Sequence, residues 1–129
     1  MEALVKILQA LGDQTRWRIV QLIFTDALCV CEIAEILDMP QSSVSSHLQV
    51  LRKADLLESE RCEKWIYYRV DPQFQPVLKS LAEQFEAAPD TDFVLAKDER
   101  RAVKRIARRK ETCCPGPKEL SSVSNKKNA

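Results

Sequence analysis

Hydrophobic residues recur at helical spacing over most of this chain. Apolar side chains three and four positions apart are typical of amphipathic helices, each of which buries one face. They predict helices over about 2–11, 14–24, 31–37, 42–54, 72–87 and 94–111. Residues 57–61 and 65–70, with a short polar turn between them, predict the two strands of a hairpin. The pattern predicts a mainly α-helical α+β fold of about five helices and a two-stranded hairpin, followed by one additional basic helix.

The ends of several predicted helices carry residues suited to cap them. Asp13 can accept a hydrogen bond from a free N–H group at the start of the second helix, and Ser42 or Ser43 can do so for the fourth. Pro40 disfavours helical geometry at the preceding residue, so a turn separates the third helix from the fourth. Two short helices joined by a tight turn and followed by a hairpin form the winged helix-turn-helix pattern.

The chain divides into three segments of different composition. Its 129 residues suffice for one domain and a short extension. We expect a winged helix-turn-helix DNA-binding and dimerisation domain over 1–88, a basic helical extension over 89–111, and a flexible cysteine-containing tail over 112–129. A domain this small buries a modest share of its surface, so dimerisation would add useful apolar burial.

Charge is distributed unevenly along the chain. The formal net charge is +1, yet the segment 97–110 holds eight basic residues against two acidic ones. Such a run can contact phosphates or form a solvated helix face, and the solvated face is the commoner outcome.

The sequence also indicates the compartment. No apolar run approaches the roughly 20 residues that cross a bilayer, and the amphipathic N-terminus lacks the features of a signal peptide. We therefore expect a cytoplasmic protein with no membrane partner. There its five cysteines should be reduced, and their odd number disfavours a disulfide framework. Grouped cysteines in that compartment indicate metal binding or redox chemistry.

The fourth helix begins with short polar side chains, which can approach base edges and phosphates in the major groove of double-stranded operator DNA. The candidates for groove contact are Gln41, Ser42, Ser43, Ser45, Ser46 and His47. The candidate phosphate contacts are Arg52, Lys53, Arg61 and Lys64. A serine-rich start is also typical of a well-capped helix, but the hairpin that follows favours DNA binding. His47 is the single histidine, so we interpret it as a DNA contact and not as a zinc ligand.

Four segments carry a specific combination of motifs. They are ALGDQTRWRI at 10–19, LCVCEI at 28–33, the pattern S-x-x-S-S-H-L-x-x-L-R-x-A-x-L-L within 40–57, and KWIYYR at 64–69. In that order they resemble the opening signature, the metal box, the recognition helix and the wing of the ArsR/SmtB family of metal-responsive repressors. The resemblance covers about residues 4–88.

The resemblance implies a homodimer held together by the first and fifth helices. It also implies a repressor that binds a palindromic operator when ion-free and releases it when an ion binds. The pair Cys29 and Cys31 is most similar to the metal box of arsenite and antimonite sensors, with cadmium and lead sensors next. We expect such an ion as the inducer and no organic cofactor.

Some positions depart from the family pattern. Ala34 stands where arsenite sensors often carry a third cysteine, which leaves the third ligand open. Ser46 stands where a basic residue is common, and Cys62-Glu63 where the wing turn usually has glycine. The family's alternative zinc site on the fifth helix requires histidine, and residues 72–87 contain none.

The spacing of Cys29 and Cys31 restricts how both can hold one soft ion. On a regular helix they point about 200° apart, whereas in extended backbone residues two apart face the same side. The backbone at the start of the helix must therefore be open, that is, extended and not helical, or become so, for both thiolates to bind one ion. Ligation would then distort the first turn of the third helix and move the recognition helix. Alternatively, both cysteines are only small buried hydrophobic residues.

The vicinal pair Cys113 and Cys114 is the best candidate for the missing ligand, because vicinal thiols suit a three-coordinate trivalent ion. It can complete a site on its own or the partner subunit, form a separate surface site, or form none. Cys62, in the wing, is not expected to be a ligand.

Two other functions could use these thiols. A redox or persulfide switch would form disulfides instead of binding an ion. A thiol enzyme such as a metalloid reductase would need an anion-binding loop, and the chain has two glycines and no phosphate cradle. We therefore expect a repressor that senses arsenite or antimonite, with cadmium, lead or redox sensing as alternatives, and no enzymatic activity.

Overall fold

The computed structural model describes residues 1–112 and 114–120. These residues contain six α-helices and three strands. In chain order they are α1 (Glu2–Leu11), α2 (Gln14–Leu22), β1 (Leu28–Cys29), α3 (Val30–Leu37), α4 (Gln41–Lys53), β2 (Leu57–Cys62), β3 (Trp65–Val70), α5 (Gln75–Gln84) and α6 (Phe93–Ala107). Short 3-10 turns at Pro72–Phe74 and Arg109–Glu111 precede α5 and follow α6. Within these ranges, no helix combines the length and apolarity that crossing a bilayer requires.

The main hydrophobic core lies between α2, α3, α4 and the sheet. Ile19, Ile33 and Leu51 contribute one fully buried side chain from each of these helices. The additional helix, α6, packs against α2 and α3. An ion pair fixes it there, with Arg18 Nε 2.8 Å from the carboxylate of the buried Asp98.

The helix-turn-helix consists of α3 and α4. Asp38 ends α3 in the left-handed conformation, at φ 55°, and Pro40 then leads into α4 with extended backbone. The prediction that Ser42 or Ser43 caps α4 is wrong. Proline is itself the N-cap residue, so the helix begins at Gln41 and both serines lie inside its first turn.

The sheet is antiparallel, with strand order β1-β3-β2. Strands β2 and β3 form the predicted hairpin, the wing, and Glu63 in its turn has φ 58°, a conformation that favours glycine. Strand β1 is not predicted by the sequence: Leu28 and Cys29 pair with Tyr68 and Tyr67. A strand of two residues is too short to show alternating apolar and polar side chains, and the strand that it pairs with lies about 40 residues further along the chain.

Several helices are shorter than their hydrophobic pattern predicts. Helix α5 begins at Gln75 and not at residue 72, because Pro76 lacks an N–H group and fits only in the first turn of a helix. Glu86, at φ 52°, departs from helical geometry just beyond its end. Helix α6 likewise ends at Ala107, and a separate 3-10 turn covers the rest of the predicted helix.

The predicted N-cap at Asp13 is confirmed, since its carboxylate accepts a hydrogen bond from the N–H of Arg16 at 3.0 Å. We expect Asp13→Ala to lower the free energy of unfolding by about 1 kcal/mol, because that N–H group loses its partner. Asp13→Asn should retain most of the stability, since asparagine also caps helices well. Urea denaturation at neutral pH measures both, and equal losses in the two variants would contradict the capping role.

Candidate metal centre

Three thiol groups meet where β1, α3 and the C-terminal tail (the described residues 114–120) come together. The Sγ atom of Cys29 lies 3.8 Å from that of Cys31 and 3.5 Å from that of Cys114, and the latter two are 3.6 Å apart. Cys29 and Cys114 are buried, whereas Cys31 is half-buried. The sulfur atoms form a nearly equilateral triangle, which we call the thiol triangle, with one corner partly open to solvent.

The backbone at Cys29 explains how the first two thiols come together. Cys29 ends β1 and is the N-cap residue of α3, with φ −93° and ψ 171°. Its backbone is thus extended while Cys31 lies in the first helical turn. The two side chains therefore do not diverge as they would on a regular helix, and the open helix start required by the spacing argument is present.

The tail brings the third thiol to this place. The N–H group of Gly116 donates to Tyr67 Oη on β3 at 2.7 Å. Further along, the Glu60 carboxylate of the wing accepts from three successive backbone N–H groups, at 2.7, 2.9 and 2.7 Å. The donors are Lys118, Glu119 and Leu120. The segment that we expected to be flexible thus has its described part against the sheet, while Cys113 lies outside the described residues.

A fully buried carboxylate, that of Glu32, lies beside the triangle. Its Oε1 atom accepts from the N–H group of Cys29 at 3.1 Å. Arg109 binds it through two nitrogens, at 2.7 and 3.0 Å. Arg105 approaches to 3.7 Å. The buried negative charge is thus compensated by cations from α6 and the turn after it, as a buried charge requires.

The same surroundings affect the protonation of the thiols. Burial raises the pKa of the Cys29 thiol far above its ordinary value, and the Glu32 carboxylate raises this pKa further. The hydrogen bond from the backbone N–H of Glu32 opposes these effects only in part. Cys29 is therefore a neutral thiol in the ion-free protein, and an ion that binds as a thiolate complex must displace its proton.

A solvent-open cleft leads to the triangle. Cys29, Cys31, Lys64 and Trp65 contribute to its walls. Cys62 is buried in the same small cluster as Cys29 and Cys114, but it is not part of the thiol triangle.

Most of the predicted DNA-contacting residues are exposed, and they lie on α4 and the wing. The exposed residues among them are Gln41, Ser42, Ser45, Ser46, Arg52, Lys53, Arg61 and Lys64. Ser43 and His47 are half-buried. His47 Nδ1 lies 3.4 Å from Arg16 Nη1, so its ring is held between α2 and α4. The Lys64 ammonium group lies 5.0 Å from the centre of the Trp65 ring, which connects the wing tip to the wall of the cleft.

Sequence reasoning missed the residues that hold the tail, namely Glu32, Glu60, Tyr67 and Arg109. The basic run was interpreted mainly as a solvated face, yet Arg105 is buried and forms an ion pair with Glu35. The one available signal was that arginines recur at 101, 105 and 109, one turn apart, which places them on a single helix face.

Comparison with known proteins agrees with this architecture. Residues 13–59 match the profile described as "Bacterial regulatory protein, arsR family". The arsenic resistance transcriptional regulator ArsR1 of Pseudomonas putida is 40% identical over 68 residues, which are 52% of this chain and 53% of that protein. A CadC homolog of Staphylococcus aureus, a cadmium resistance transcriptional regulatory protein, is 31% identical over 86 residues, 64% of this chain and 71% of that protein.

A solved structure supports the fold. The homodimeric winged helix-turn-helix DNA-binding domain of Mb0332 from Mycobacterium bovis superimposes with a TM-score of 0.63 at 22% identity, covering 66% of this chain and 80% of that one. The molecule is thus a winged helix-turn-helix protein. The chain belongs to the ArsR family of bacterial regulatory proteins. Membership of a regulatory family agrees with the expectation that it is a regulator and not an enzyme.

The contact between Glu60 and the tail should depend on pH. Partial burial raises the pKa of Glu60, but the three N–H donors outweigh it and hold the pKa below its ordinary value. The stabilisation is therefore complete above the ordinary pKa of glutamate and disappears as pH falls through the lowered one. We expect Glu60→Ala to speed amide hydrogen exchange at 118–120 severalfold at neutral pH.

A second wing carboxylate, the exposed Glu63, provides the matched control. Glu63→Ala should leave exchange at 118–120 unchanged, because no described tail residue bonds to it. Equal exchange rates in wild type and Glu60→Ala would show that Glu60 does not hold the tail.

Proposed function

We propose that this chain is a transcriptional repressor that binds operator DNA as an ion-free homodimer and releases it when arsenite or antimonite binds Cys29, Cys31 and Cys114. The observation that carries the proposal is the thiol triangle, in which three sulfur atoms lie 3.5–3.8 Å apart. Thiolates are soft ligands and select soft ions over calcium or magnesium. Cys113 remains a predicted ligand, either in addition to Cys114 or in its place.

The shape of the triangle favours a trivalent ion. A point in the sulfur plane equidistant from all three atoms lies about 2.1 Å from each, slightly closer than the roughly 2.3 Å of a metal–thiolate bond to zinc. Cys29, Cys31 and Cys114 would together hold an ion that takes three thiolates in a pyramidal arrangement. Arsenic(III) and antimony(III), which carry a lone pair, adopt such coordination.

Cadmium and lead are the alternative inducers within this proposal. The relative from Staphylococcus aureus is named as a cadmium resistance transcriptional regulatory protein, which supports cadmium as an alternative inducer. A tetrahedral ion needs four ligands, and in the described part of the chain the cluster offers three. Cys113 is the nearest candidate in sequence for a fourth.

A redox switch is the second alternative, and the 3.5 Å separation of Cys29 and Cys114 is the observation that favours it. Forming a disulfide would bring these atoms to about 2.05 Å, a small movement. Against it, a disulfide joins only two of the three clustered thiols, whereas an ion that takes three thiolates uses all of them. We therefore favour ion binding.

DNA binding is proposed through α4 and the wing. Helix α4 presents short polar side chains to solvent at its N-terminal end, a composition suited to the major groove. The basic residues at its C-terminal end and on the wing flank this surface and can contact phosphates.

A homodimer is proposed through the first and fifth helices. Leu4 and Leu8 on α1 and Val77 on α5 are large hydrophobic side chains left exposed in the single chain. Burying such surface against a second copy is favourable. The structural neighbour from Mycobacterium bovis is itself homodimeric.

The position of the triangle suggests how ion binding reaches the DNA surface. Cys29 belongs to β1, which pairs with strand β3 of the wing, and Cys31 belongs to α3, which packs on α4. An ion bound to all three sulfur atoms would tie β1, the start of α3 and the tail to one another. Fixing α3 and the wing in this arrangement would restrict the adjustment of the DNA-binding side chains to the operator.

The central test is release of DNA by the ion. We expect arsenite, under reducing conditions, to dissociate wild type from a duplex selected by the protein from a random library. Cys29→Ser and Cys114→Ser should remain bound at arsenite concentrations that release wild type, because each removes one thiolate from the site. Fluorescence anisotropy of the labelled duplex measures release.

Cys62→Ser is the matched control, since it changes a buried thiol outside the triangle, and it should respond like wild type. Cys113→Ser separates the neighbouring thiols. If arsenite fails to release wild type while cadmium or peroxide succeeds, the corresponding alternative replaces the proposal. Response in the double variant Cys113→Ser/Cys114→Ser but not in Cys29→Ser would remove the tail from the sensing site.

The proposed phosphate-binding residues have their own signature. Arg52→Ala should weaken binding uniformly across duplex sequences and reduce the slope of log affinity against log salt by about one for each phosphate that the variant no longer neutralises. The control Lys79→Ala removes an equally exposed cation from α5 and should change neither quantity. An unchanged salt slope in Arg52→Ala would exclude a phosphate-binding role for Arg52.

A further inference from the structure

We infer that Arg109 is a positioning residue that delivers the third thiol and so makes the site selective for ions that take three thiolates over ions that take two. The inference rests on the proposed function, because it assigns a role within the same sensing site. The sequence places Arg109 only in the basic run at 97–110, and its role follows from the contacts around it.

Arg109 connects the tail to the carboxylate beside Cys29. Its Nε and Nη2 atoms lie 2.7 and 3.0 Å from the two oxygens of Glu32, and Nη2 also donates to the carbonyl oxygen of Ala27 at 2.8 Å. Glu32 in turn accepts from the N–H group of Cys29 at 3.1 Å. The buried carboxylate of Glu32 therefore fixes both the backbone of Cys29 and the side chain of Arg109, which precedes Cys114 in the chain.

The other side of Arg109 shapes the path of the tail. Its guanidinium carbon lies 5.5 Å from the centre of the Tyr67 ring. Gly116 passes so close that a Cβ atom there would lie 3.1 Å from Arg109 Cδ, and its φ of +94° also favours glycine. Cys114 lies between these two fixed points, so its side chain is directed at Cys29 and Cys31.

Only arginine suits this arrangement. The planar guanidinium binds a carboxylate through two parallel bonds, donates to a carbonyl and stacks on an aromatic ring, whereas a lysine ammonium is a compact charge on a flexible stem. Removing Arg109 also leaves Glu32 with a cation, because Arg105 Nη1 lies 3.7 Å from it. Replacement of Arg109 should therefore release the tail without unfolding the core.

Release of the tail would change the ion preference of the site. Inorganic arsenite condenses with three thiols: three As–S bonds form, three As–O and three S–H bonds break, and three waters leave with no change of oxidation state. The hydrate of phenylarsine oxide keeps its As–C bond and condenses with two thiols, releasing two waters. The second reagent therefore needs only Cys29 and Cys31.

The selectivity test compares these two reagents on the full chain. In Arg109→Met and Arg109→Lys we expect affinity for arsenite to fall by about tenfold or more, the effect typical of residues that orient ligands. Affinity for phenylarsine oxide should stay within about twofold, since the two-thiol pair remains. In a Cys114→Ser background, Arg109→Met should cause no further loss, because both changes act through the same thiol.

A second readout measures the position of Cys114 without any arsenical. The thiol is buried in wild type, so iodoacetamide should alkylate it slowly, and Arg109→Met should speed its alkylation while leaving Cys29 slow. Peptide mass spectrometry distinguishes the two cysteines. Arg108→Met is the matched control, because Arg108 is an exposed neighbour that should not affect either readout.

The outcomes separate the inference from the proposed function. If wild type binds neither arsenical, the proposed function fails, and faster alkylation of Cys114 in Arg109→Met still decides the positioning role. If Arg109→Met weakens both arsenicals equally, or leaves alkylation of Cys114 unchanged, Arg109 does not position the third thiol. The same holds if Arg108→Met matches Arg109→Met.

Discussion

The buried Glu32 carboxylate is the constraint on which the candidate site depends. A negative charge with no solvent access requires donors on every side, and the protein supplies them from elements distant in sequence. The N–H group of Cys29 fixes the start of α3, while Arg105 and Arg109 bring in the end of α6 and the following turn. The thiol triangle lies beside this carboxylate, so the compensation of one charge helps to fix the backbone of Cys29 and the turn that leads into the tail.

The winged helix-turn-helix could be predicted because its signals are local. Val44, Leu48 and Leu51 repeat at helical spacing, Pro40 marks the turn, and the aromatic and β-branched residues of 65–70 indicate a strand of the wing. Strand β1 could not be predicted in this way, because two residues carry no periodicity and their pairing with Tyr67 and Tyr68 is a tertiary contact. The starts of α4 and α5 were misplaced for a different reason, since in both a proline sets where the helix begins.

The candidate site was predictable in its composition but not in its assembly. Cys29 and Cys31 stand out by spacing, and Cys114 by its place in a vicinal pair. Their meeting depends on Glu60, Tyr67 and other residues whose types are ordinary on a protein surface. A glutamate that accepts three backbone N–H groups looks in sequence like any solvated wing residue. Such contacts become visible only when the path of the tail is known.

The third thiol comes from outside the segment that carries the family motifs. The residues proposed to contact DNA and the third thiol of the proposed ion site therefore occupy separate stretches of the chain. Under the proposed function, a deletion or insertion near residue 114 would change the number of thiolates offered to an ion while leaving α4 and the wing intact. The specificity for the ion and the specificity for DNA could then change independently of each other.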